Sequence, residues 1–492
     1  MTDTSLSNRD FKIALGVVLA LTAVRIVTLF VSPFELHGDE AQYWNWSRDL
    51  TFGYFSKPPM IAWVIAATTA VFGNAEPCVR LSSPLFHAGT AIMLFFVGRE
   101  LYGSRVGLWT AVLFTTLPAI FYSSLVISTD VPLLFFWAAA LYAYIRVLRT
   151  RSYGWAVGLG VAIGLGLLSK YAMIYFIVLG LVYALCGRET RWLAYSAQGA
   201  IVAVLAALFI LPNVWWNLDH SWVTIGHTAQ NANWSEIKLH FNKFGDFFGA
   251  QFGLFGPFLL ITLFCAGFTA FRAGEDRADR MLVTFSLPII LMVTVQALMS
   301  RAHANWAATA YVAATPLVAA WLSRGRWTWM RPASIGLHCF VGTILILLFS
   351  GAIGVPSWIK ADPYYRISGS NALAREVEKR IGDRKFSAIL TDDRMVISTL
   401  KYYLPEGDIP IIIWGGRDNH PMNHFELTSQ IDFETGSKVF YVALTESPWE
   451  IVNRFPSRSY EGESEIAAGP RRSRTYKFYT LNDFQGFWRD PQ

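Results

Sequence analysis

Charged residues are scarce in this sequence. Asp, Glu, Lys and Arg make up only 15% of the 492 residues, whereas 53% are hydrophobic; soluble domains carry about 25% charged residues. This composition excludes an ordinary soluble protein and predicts a polytopic membrane protein with a soluble part attached. The net charge of +6 does not indicate nucleic-acid binding, because the basic residues gather in short loops between apolar runs, where they set topology.

Cysteines and nucleotide-binding motifs are also lacking. The four cysteines are scattered and show neither CxxC spacing nor a disulfide framework, so we interpret them as small core residues. No GxGxxG or GxxxxGK[ST] loop follows a candidate strand, which argues against a nucleotide site. No Ala-x-Ala-like cleavage site follows the first apolar run, so we expect that run to be a retained helix.

Long apolar runs recur along the first 355 residues. We interpret eleven of them as membrane spans, near 11–31, 81–99, 106–125, 131–147, 154–169, 171–186, 193–212, 251–271, 281–299, 305–323 and 334–354. The apolar run 60–72 is too short to cross a bilayer, which takes about 20 helical residues, so we expect it to lie at the interface. The whole of 33–80 then forms one loop on one side of the membrane.

Arginines concentrate in alternate loops between these spans. One set of loops carries Arg99, Arg105, Arg146, Arg149, Arg151, Arg188, Arg191, Arg272, Arg277, Arg280, Arg324, Arg326 and Arg331. The positive-inside rule makes these loops cytoplasmic, with the N-terminus inside and the C-terminus outside. The loop 33–80, the segment 212–246 and the polar groups at 129–130, 170 and 301–306 are then all predicted on the outer face.

The composition changes after Pro356. Helical patterns at 371–381 and 395–404 alternate with apolar stretches at 386–390, 409–414, 439–444 and 475–480, as in a small α/β domain. We therefore predict an α-helical polytopic membrane domain over 1–355, with the outer loop 33–80, and an extracytoplasmic α/β domain over 356–492.

The loop after the first span carries the densest candidate chemistry. Asp39 and Glu40 are followed by Tyr43, Tyr54 and Lys57. The acids offer a general base or a cation-handling pair, and the lysine offers a point charge for a phosphate. The structural alternatives are an acidic cap at a helix start for the acids and a lysine that only reaches the lipid headgroups.

Further polar groups are predicted on the same face. Asp130 opens a span, with an N-terminal cap as its structural alternative, and Lys170 stands in a short hairpin where a turn charge is the simpler explanation. The remaining candidates are Trp215, His220, Arg301, His303 and Asn305. Their structural alternative is an aromatic belt and helix-end anchoring at the membrane interface. A metal site on His220 and His227 is weakly supported, since no third ligand is nearby.

Three motifs together resemble those of the aminoarabinose transferase and protein mannosyltransferase superfamily. They are Asp-Glu at 39–40 after the first helix, Tyr-Phe-x-Lys-Pro-Pro at 54–59, and Thr-Asp at 129–130 opening a later helix. Members are integral-membrane glycosyltransferases with a C-type fold that use polyprenyl-phosphate sugars. The resemblance covers nearly the whole chain and is nearest the bacterial branch of lipid A and core glycosyltransferases.

The resemblance implies roles for particular residues. The first-loop aspartate of the family corresponds to Asp39, with Glu40 beside it, and the second aspartate to Asp130. The lysine that binds the carrier phosphate corresponds to Lys57, and Tyr54 stands three residues before it. The resemblance has two departures: Gln42 stands where the aminoarabinose transferases have an arginine, and Ser56 stands where they have an acid. These departures leave open which sugar the donor carries. They also leave open any metal site that would use that acid.

The resemblance implies an inverting glycosyltransferase of the bacterial inner membrane with its site on the periplasmic face. Its partners would be a polyprenyl-phosphate sugar donor, a glycolipid acceptor such as lipid A or lipopolysaccharide core, and membrane lipids, with no nucleic acid. The resemblance names no cofactor and leaves a divalent cation open. Protein O-mannosylation is the alternative acceptor chemistry. A glycolipid flippase is the alternative of another class, although the spans have few acids at their centres, where transporters carry them.

Overall fold

The protein is mostly helical. The computed structural model describes residues 2–232, 239–271, 276–324, 327–359, 362–405, 407–415, 421–429, 436–445 and 448–484. Arg272 and Arg326 of the predicted cytoplasmic loops, and residues 233–238 of the predicted outer segment, lie outside this part of the chain.

The helices and strands are as follows, in chain order. The helices are α1 (Thr2–Val31), α2 (Gly38–Ser47), α3 (Met60–Phe72), α4 (Glu76–Arg80), α5 (Ser82–Tyr102), α6 (Ser104–Thr116), α7 (Pro118–Ser123), α8 (Asp130–Thr150), α9 (Tyr153–Ser169), α10 (Ile174–Cys186), α11 (Ala197–Asp219), α12 (Val223–Ala232), α13 (Phe241–Phe255), α14 (Pro257–Thr269), α15 (Arg277–Thr284), α16 (Leu287–Met299), α17 (Ala310–Trp321), α18 (Met330–Phe349), α19 (Ser370–Ile381), α20 (Arg394–Tyr403), α21 (His424–Thr428) and α22 (Trp449–Val452). The strands are β1 (Ala388–Thr391), β2 (Ile411–Ile413), β3 (Val439–Ala443), β4 (Ser457–Ala467) and β5 (Ser473–Asn482), and short 3₁₀ turns occupy Tyr171–Met173, Arg191–Tyr195 and Ala304–Ala307.

Several helices are long and apolar enough to cross a membrane. Within the described residues there are six such helical stretches, at Asn8–Val31, Glu76–Tyr102, Asp130–Thr150, Ala197–Asp219, Arg277–Met299 and Met330–Phe349. The second joins α4 to α5, and the fifth joins α15 to α16. The chain is therefore a multi-pass membrane protein, as predicted. Eleven full spans are not confirmed, because three of the predicted spans, α9, α17 and the apolar helix at Tyr171–Cys186, have only 10–17 residues each.

Inside two of the predicted spans a proline is the first residue of a new helix. The span predicted at 106–125 is divided where α6 ends at Thr116 and Pro118 opens α7. The span predicted at 251–271 is bent by 106° between α13 and α14, where Gly256 has a φ of +90° and Pro257 starts the next helix. Proline has no backbone N–H and is favoured at the first helical position, so neither segment forms one straight helix.

Close packing of α9 against α11 positions part of the candidate site. A Cβ atom on Gly160 would lie 2.8 Å from the Cβ of Leu205, and one on Gly164 would lie 2.5 Å from the Cβ of Phe209. Small residues four apart let two membrane helices approach closely. The residues that follow α9 consequently meet polar positions on α11.

The chain divides into two compact units. The membrane unit consists of Met1–Ser32, Thr51–Gly53 and Lys57–Ala352, and the C-terminal unit consists of Pro33–Leu50, Tyr54–Ser56 and Ile353–Gln492. Much of the loop that we assigned to the membrane domain, including Asp39 and Tyr54, therefore groups with the C-terminal unit.

Contacts with α19 and α20 explain this grouping. Glu35 caps α19 by accepting hydrogen bonds from the backbone N–H groups of Ser370 (2.6 Å) and Asn371 (3.2 Å). Helix α2 packs on α20, where the Asn45 side chain donates to the carbonyl of Ser398 at 3.1 Å. The first loop is thus built into the C-terminal unit.

The C-terminal unit contains a five-stranded sheet in the order β2-β1-β3-β5-β4. Strands β2, β1 and β3 pair in parallel, and β5 and β4 continue the sheet in antiparallel pairs. The predicted alternation of helices and strands is confirmed, but β4 was missed. Its side chains are mostly exposed, so it lacks the apolar pattern by which the other strands were found.

Candidate functional site

The N-terminus of α2 holds the Asp-Glu pair. His37 is the N-cap residue, and its Nδ1 accepts a hydrogen bond from the backbone N–H of Asp39 at 3.0 Å. Glu40 completes a capping box by accepting from the backbone N–H of His37 at 3.0 Å. Because Glu40 is only 2% exposed, its carboxylate serves the helix end, while the Asp39 side chain stays 43% exposed.

The cap depends on a neutral histidine. Nδ1 of His37 can accept a hydrogen bond only when it carries no proton. Burial lowers the pKa of His37 below its ordinary value of 6.5, against the opposing effect of Asp39 and Glu40. The imidazole is therefore neutral at pH 7, as the cap requires.

Asp39 pairs with an arginine from α20. The Nη1 of Arg394 donates to Oδ1 of Asp39 at 2.9 Å and to Oε1 of Gln42 at 2.6 Å. Arg394 is the first residue of α20, whose N-terminus is capped by the carboxylate of Asp393. The guanidinium fixes the orientation of the Asp39 carboxylate.

Aromatic rings of α2 pack against Tyr54 and His424. Tyr54 stacks on Trp46 with ring centroids 4.6 Å apart, Tyr43 packs against the same indole at 5.2 Å, and His424 contacts both Trp46 and Tyr54 edge-on. The Tyr54 hydroxyl bonds the carbonyl oxygens of Trp46 and Asp49, each at 2.9 Å. Tyr54 therefore supports the segment that follows α2, and its hydroxyl is held by the backbone.

A second polar cluster lies at the start of α8 in the membrane unit. Nζ of Lys170 lies 2.7 Å from Oδ1 of Asp130, and the side-chain amide of Asn305 donates to Oδ2 at 2.7 Å. The Asp130 and Lys170 side chains are 10% and 20% exposed. Three of the predicted residues, which lie far apart in the chain, are thus brought together, and both oxygens of the acid are engaged.

Polar residues of α11 form a network with the residue after Lys170. The Tyr171 hydroxyl donates to Oδ1 of Asn213 at 2.7 Å, and the Asn213 amide donates to the carbonyl of Phe52 at 2.7 Å. Asn217, one helical turn further along α11, contacts the same tyrosine hydroxyl at 3.4 Å. This network fixes the segment 51–53 in the membrane unit.

The other predicted residues occupy separate places. Lys57 is half-buried two residues before Pro59, the N-cap residue of α3. Trp215 is 65% exposed, and His220 stacks on Trp216 with ring centroids 4.0 Å apart.

The last two candidates precede α17. Arg301 and His303 are exposed, and His303 contacts Trp306 edge-on at 5.4 Å.

The described residues contain no group of three or more His, Cys, Asp or Glu that could hold a metal ion. The two candidate aspartates are instead paired with cations, Asp130 with Lys170 and Asp39 with Arg394. A divalent cation thus stays a prediction without a ligand set in this part of the chain.

Sequence reasoning missed Arg394. It lies 355 residues after Asp39 in a domain without a recognisable motif, and no spacing rule links the two. The signal that the sequence offers is Gln42, which stands where the resemblance implies an arginine.

Comparisons with known proteins decide the family. A family model described as dolichyl-phosphate-mannose-protein mannosyltransferase matches residues 56–216. The lipid A galacturonosyltransferase RgtD of Rhizobium johnstonii is 35% identical over 463 residues, which cover 91% of this chain and 96% of that protein. The chain belongs to the ArnT-like and protein-mannosyltransferase-like superfamily. It is therefore a membrane glycosyltransferase, as predicted.

More distant members of the superfamily agree with this assignment. The undecaprenyl phosphate-alpha-4-amino-4-deoxy-L-arabinose arabinosyl transferase of Pseudomonas aeruginosa is 28% identical over 246 residues, which cover 45% of this chain and 42% of that protein. The crystal structure of ArnT from Cupriavidus metallidurans bound to undecaprenyl phosphate matches with a TM-score of 0.66 at 15% identity, covering 94% of this chain and 97% of that one. The predicted fold class is thereby confirmed.

Proposed function

We propose that this glycosyltransferase moves a uronic acid residue, galacturonic acid, from a polyprenyl-phosphate carrier to lipid A. The observation that carries this proposal is the 35% identity to RgtD over nearly the full length of both chains. The donor class is supported by the fold shared with an ArnT whose structure holds undecaprenyl phosphate. A lipopolysaccharide-core sugar is the related alternative acceptor.

The transfer exchanges one bond at the anomeric carbon. The bond between that carbon and the phosphate oxygen breaks, a bond to an acceptor oxygen forms on the opposite face, and the configuration inverts. The polyprenyl phosphate leaves with the bonding electron pair. We assign Lys57 to neutralise the charge that develops on this phosphate, because a preorganised cation contributes most where charge appears in the transition state.

Asp39 is the better of the two loop acids for the acceptor side. It is exposed and oriented by Arg394, whereas Glu40 is buried and occupied by the helix cap. If the acceptor is a sugar hydroxyl, Asp39 takes its proton as general base. If the acceptor is a phosphate of lipid A, the nucleophile is already anionic and Asp39 orients the reactants.

We assign Asp130 a positioning role at the start of α8. Its carboxylate bonds Lys170 and Asn305 at once, so it joins the ends of three segments of the membrane unit. An acid near a helix N-terminus is also stabilised by the helix dipole. The cluster holds these segments in one arrangement, and Lys170 supplies its positive charge.

The arginine-rich loops support a location in the inner membrane with the reaction on the periplasmic face. The basic residues Arg146, Arg149, Arg277 and Arg280 belong to the loops predicted to be cytoplasmic. Asp39, Lys57 and Asp130 belong to the opposite set. We accordingly propose that both substrates are used on the outer leaflet.

Deletion of the gene tests the proposed function in the cell. We expect lipid A from the deletion strain to lose the mass of one hexuronic acid residue, and complementation to restore it, as measured by tandem mass spectrometry. Loss of a sugar from the lipopolysaccharide core, with intact lipid A, would mean that the core is the acceptor. Unchanged lipid A and core together with lost protein glycosylation would contradict the proposal in favour of protein O-mannosylation.

A further inference from the structure

The guanidinium of Arg394 is only partly used by the protein. Within the described residues its hydrogen bonds to Asp39 and Gln42 both come from Nη1. An arginine has five N–H donors in a planar fork, so the edge formed by Nη2 and Nε keeps its capacity. The side chain is 35% exposed, so Arg394 is partly open to solvent.

Gln42 and the packing of α20 hold Arg394 in place. Gln42, which is 2% exposed, accepts from Nη1 through a neutral amide oxygen. Met395, the next residue of α20, packs directly on Gly38 of α2. The position of the guanidinium next to Asp39 is therefore set by the packing of α2 on α20.

We infer that Arg394 binds the carboxylate of a uronic acid sugar beside Asp39. This inference rests on the proposed function and adds the residue that selects the sugar. A planar guanidinium pairs with a carboxylate through two parallel hydrogen bonds, which a neutral hexose cannot form. The inference also answers an electrostatic problem, because the anionic Asp39 would repel an anionic sugar unless a cation stands between them.

The test compares two soluble probes that differ only at the sugar carboxylate. Galacturonic acid 1-phosphate and galactose 1-phosphate are each used to inhibit transfer by the full-length protein in detergent. We expect the wild type to bind the uronate more tightly. The uronate advantage is the ratio of the inhibition constant of galactose 1-phosphate to that of galacturonic acid 1-phosphate. In Arg394→Met this ratio falls by about 10- to 100-fold, the loss expected for a charge-assisted hydrogen bond. Inhibition by galactose 1-phosphate changes far less.

Two further variants separate charge from geometry. Arg394→Lys keeps the charge but lacks the fork, so it is expected to retain only part of the uronate advantage. Arg375→Met is the matched control, because Arg375 is an exposed arginine of α19 in the same unit, and it is expected to behave as wild type. Thermal unfolding of each variant checks that the C-terminal unit is folded.

Three outcomes would overturn the inference. Equal weakening of both probes in Arg394→Met would mean that Arg394 acts on the phosphate or only through Asp39. Unchanged inhibition by both probes in Arg394→Met would mean that another group binds the sugar carboxylate. A wild type without preference for the uronate would exclude the site irrespective of how the variants fold. A wild type that transfers no sugar from any polyprenyl-phosphate donor would instead refute the proposed function.

Discussion

At the scale of single residues, both candidate aspartates are held by a cation. Asp130 bonds Lys170 and Asn305 inside the membrane unit, and Asp39 bonds Arg394 inside the C-terminal unit. The first pair is more buried than the second. We therefore expect that breaking the Asp130 pair mainly lowers the stability of the protein. Breaking the Asp39 pair is expected mainly to lower the rate of sugar transfer.

The Asp130–Lys170 pair should show energetic coupling. Asp130→Asn and Lys170→Met each leave one poorly compensated charge in a buried place, so each should lower the unfolding temperature of the purified protein. The double variant should lose less free energy of unfolding than the two single variants lose together, with a coupling energy of about 0.5–3 kcal/mol. The control is the exposed pair Glu189–Arg277, which should show almost no coupling. Additive effects at Asp130 and Lys170 would argue against a stabilising pair.

His37 should make the stability of the protein depend on pH. Its pKa is lower in the folded protein than the ordinary 6.5 because the ring is buried, so the unfolded chain binds the proton first. The stability supplied by the neutral cap is complete above pH 6.5 and is lost as the pH falls from there through the folded-state pKa. Thermal unfolding between pH 7.5 and about pH 5 should show this loss.

His37→Asn is the variant that isolates this effect. Asparagine caps a helix through its side-chain oxygen and does not titrate in this range. The unfolding temperature of the variant should therefore fall less than that of the wild type over the same pH interval. The other histidines titrate in both proteins, so the difference reports His37. Identical pH profiles would show that His37 does not contribute.

Sequence reasoning found most of the charged residues but not their partners. The Asp-Glu pair and the Thr-Asp motif pointed to Asp39 and Asp130 because acids beside membrane spans are costly. The proximity of Asp130 to Lys170 and Asn305 follows from tertiary packing, which no spacing along the chain reveals. The role of Glu40 in a capping box could have been predicted from its place three residues after His37, but histidine is not among the preferred N-cap residues.

At the scale of helices and strands, the packing of α2 on α20 determines where Asp39 lies. Gly38 is one of the close contact points, since a Cβ atom there would lie 2.4 Å from Sδ and 3.1 Å from Cβ of Met395. The same pair of helices carries the bond between Asp39 and Arg394. The geometry of the proposed sugar site therefore depends on one residue without a side chain.

Gly38→Ala should separate the two helices. The added methyl group overpacks the contact, which typically costs about 1–3 kcal/mol, and the variant should lose stability and sugar transfer together. Met395→Ala in the same protein makes room for the methyl group and should restore part of both. Gly16→Ala is the control, because nothing lies within 4 Å of that position. Full activity of Gly38→Ala, or no rescue by Met395→Ala, would contradict this account.

The pattern of apolar residues predicted the strands that show it, and it missed the strand that does not. Strands β1, β2, β3 and β5 were indicated by their apolar residues, whereas the sheet-edge strand β4 is mostly exposed and has a polar sequence. The bend at Gly256 lies inside a continuous apolar run. Hydropathy cannot distinguish such a bend from a straight span, although the Gly-Pro pair was a local warning.

At the scale of the whole molecule, the proposed residues are divided between the two units. Lys57, Asp130 and Lys170 belong to the membrane unit, and Asp39 and Arg394 belong to the C-terminal unit. The membrane class was predictable from composition and from the apolar runs. The grouping of the first loop with residues near 370–400 was not predictable, because it depends on contacts between segments more than 300 residues apart.

Sugar transfer from a polyprenyl-phosphate donor is the reaction that we propose for this chain. Its most direct test is the purified full-length protein in liposomes that contain lipid A and a polyprenyl-phosphate galacturonic acid. We predict that lipid A gains the mass of one hexuronic acid residue and that polyprenyl phosphate is released. Asp39→Asn and Lys57→Ala should each abolish transfer while leaving the protein folded and inserted. Unmodified lipid A with the wild type, or near-wild-type transfer by either variant, would contradict the account.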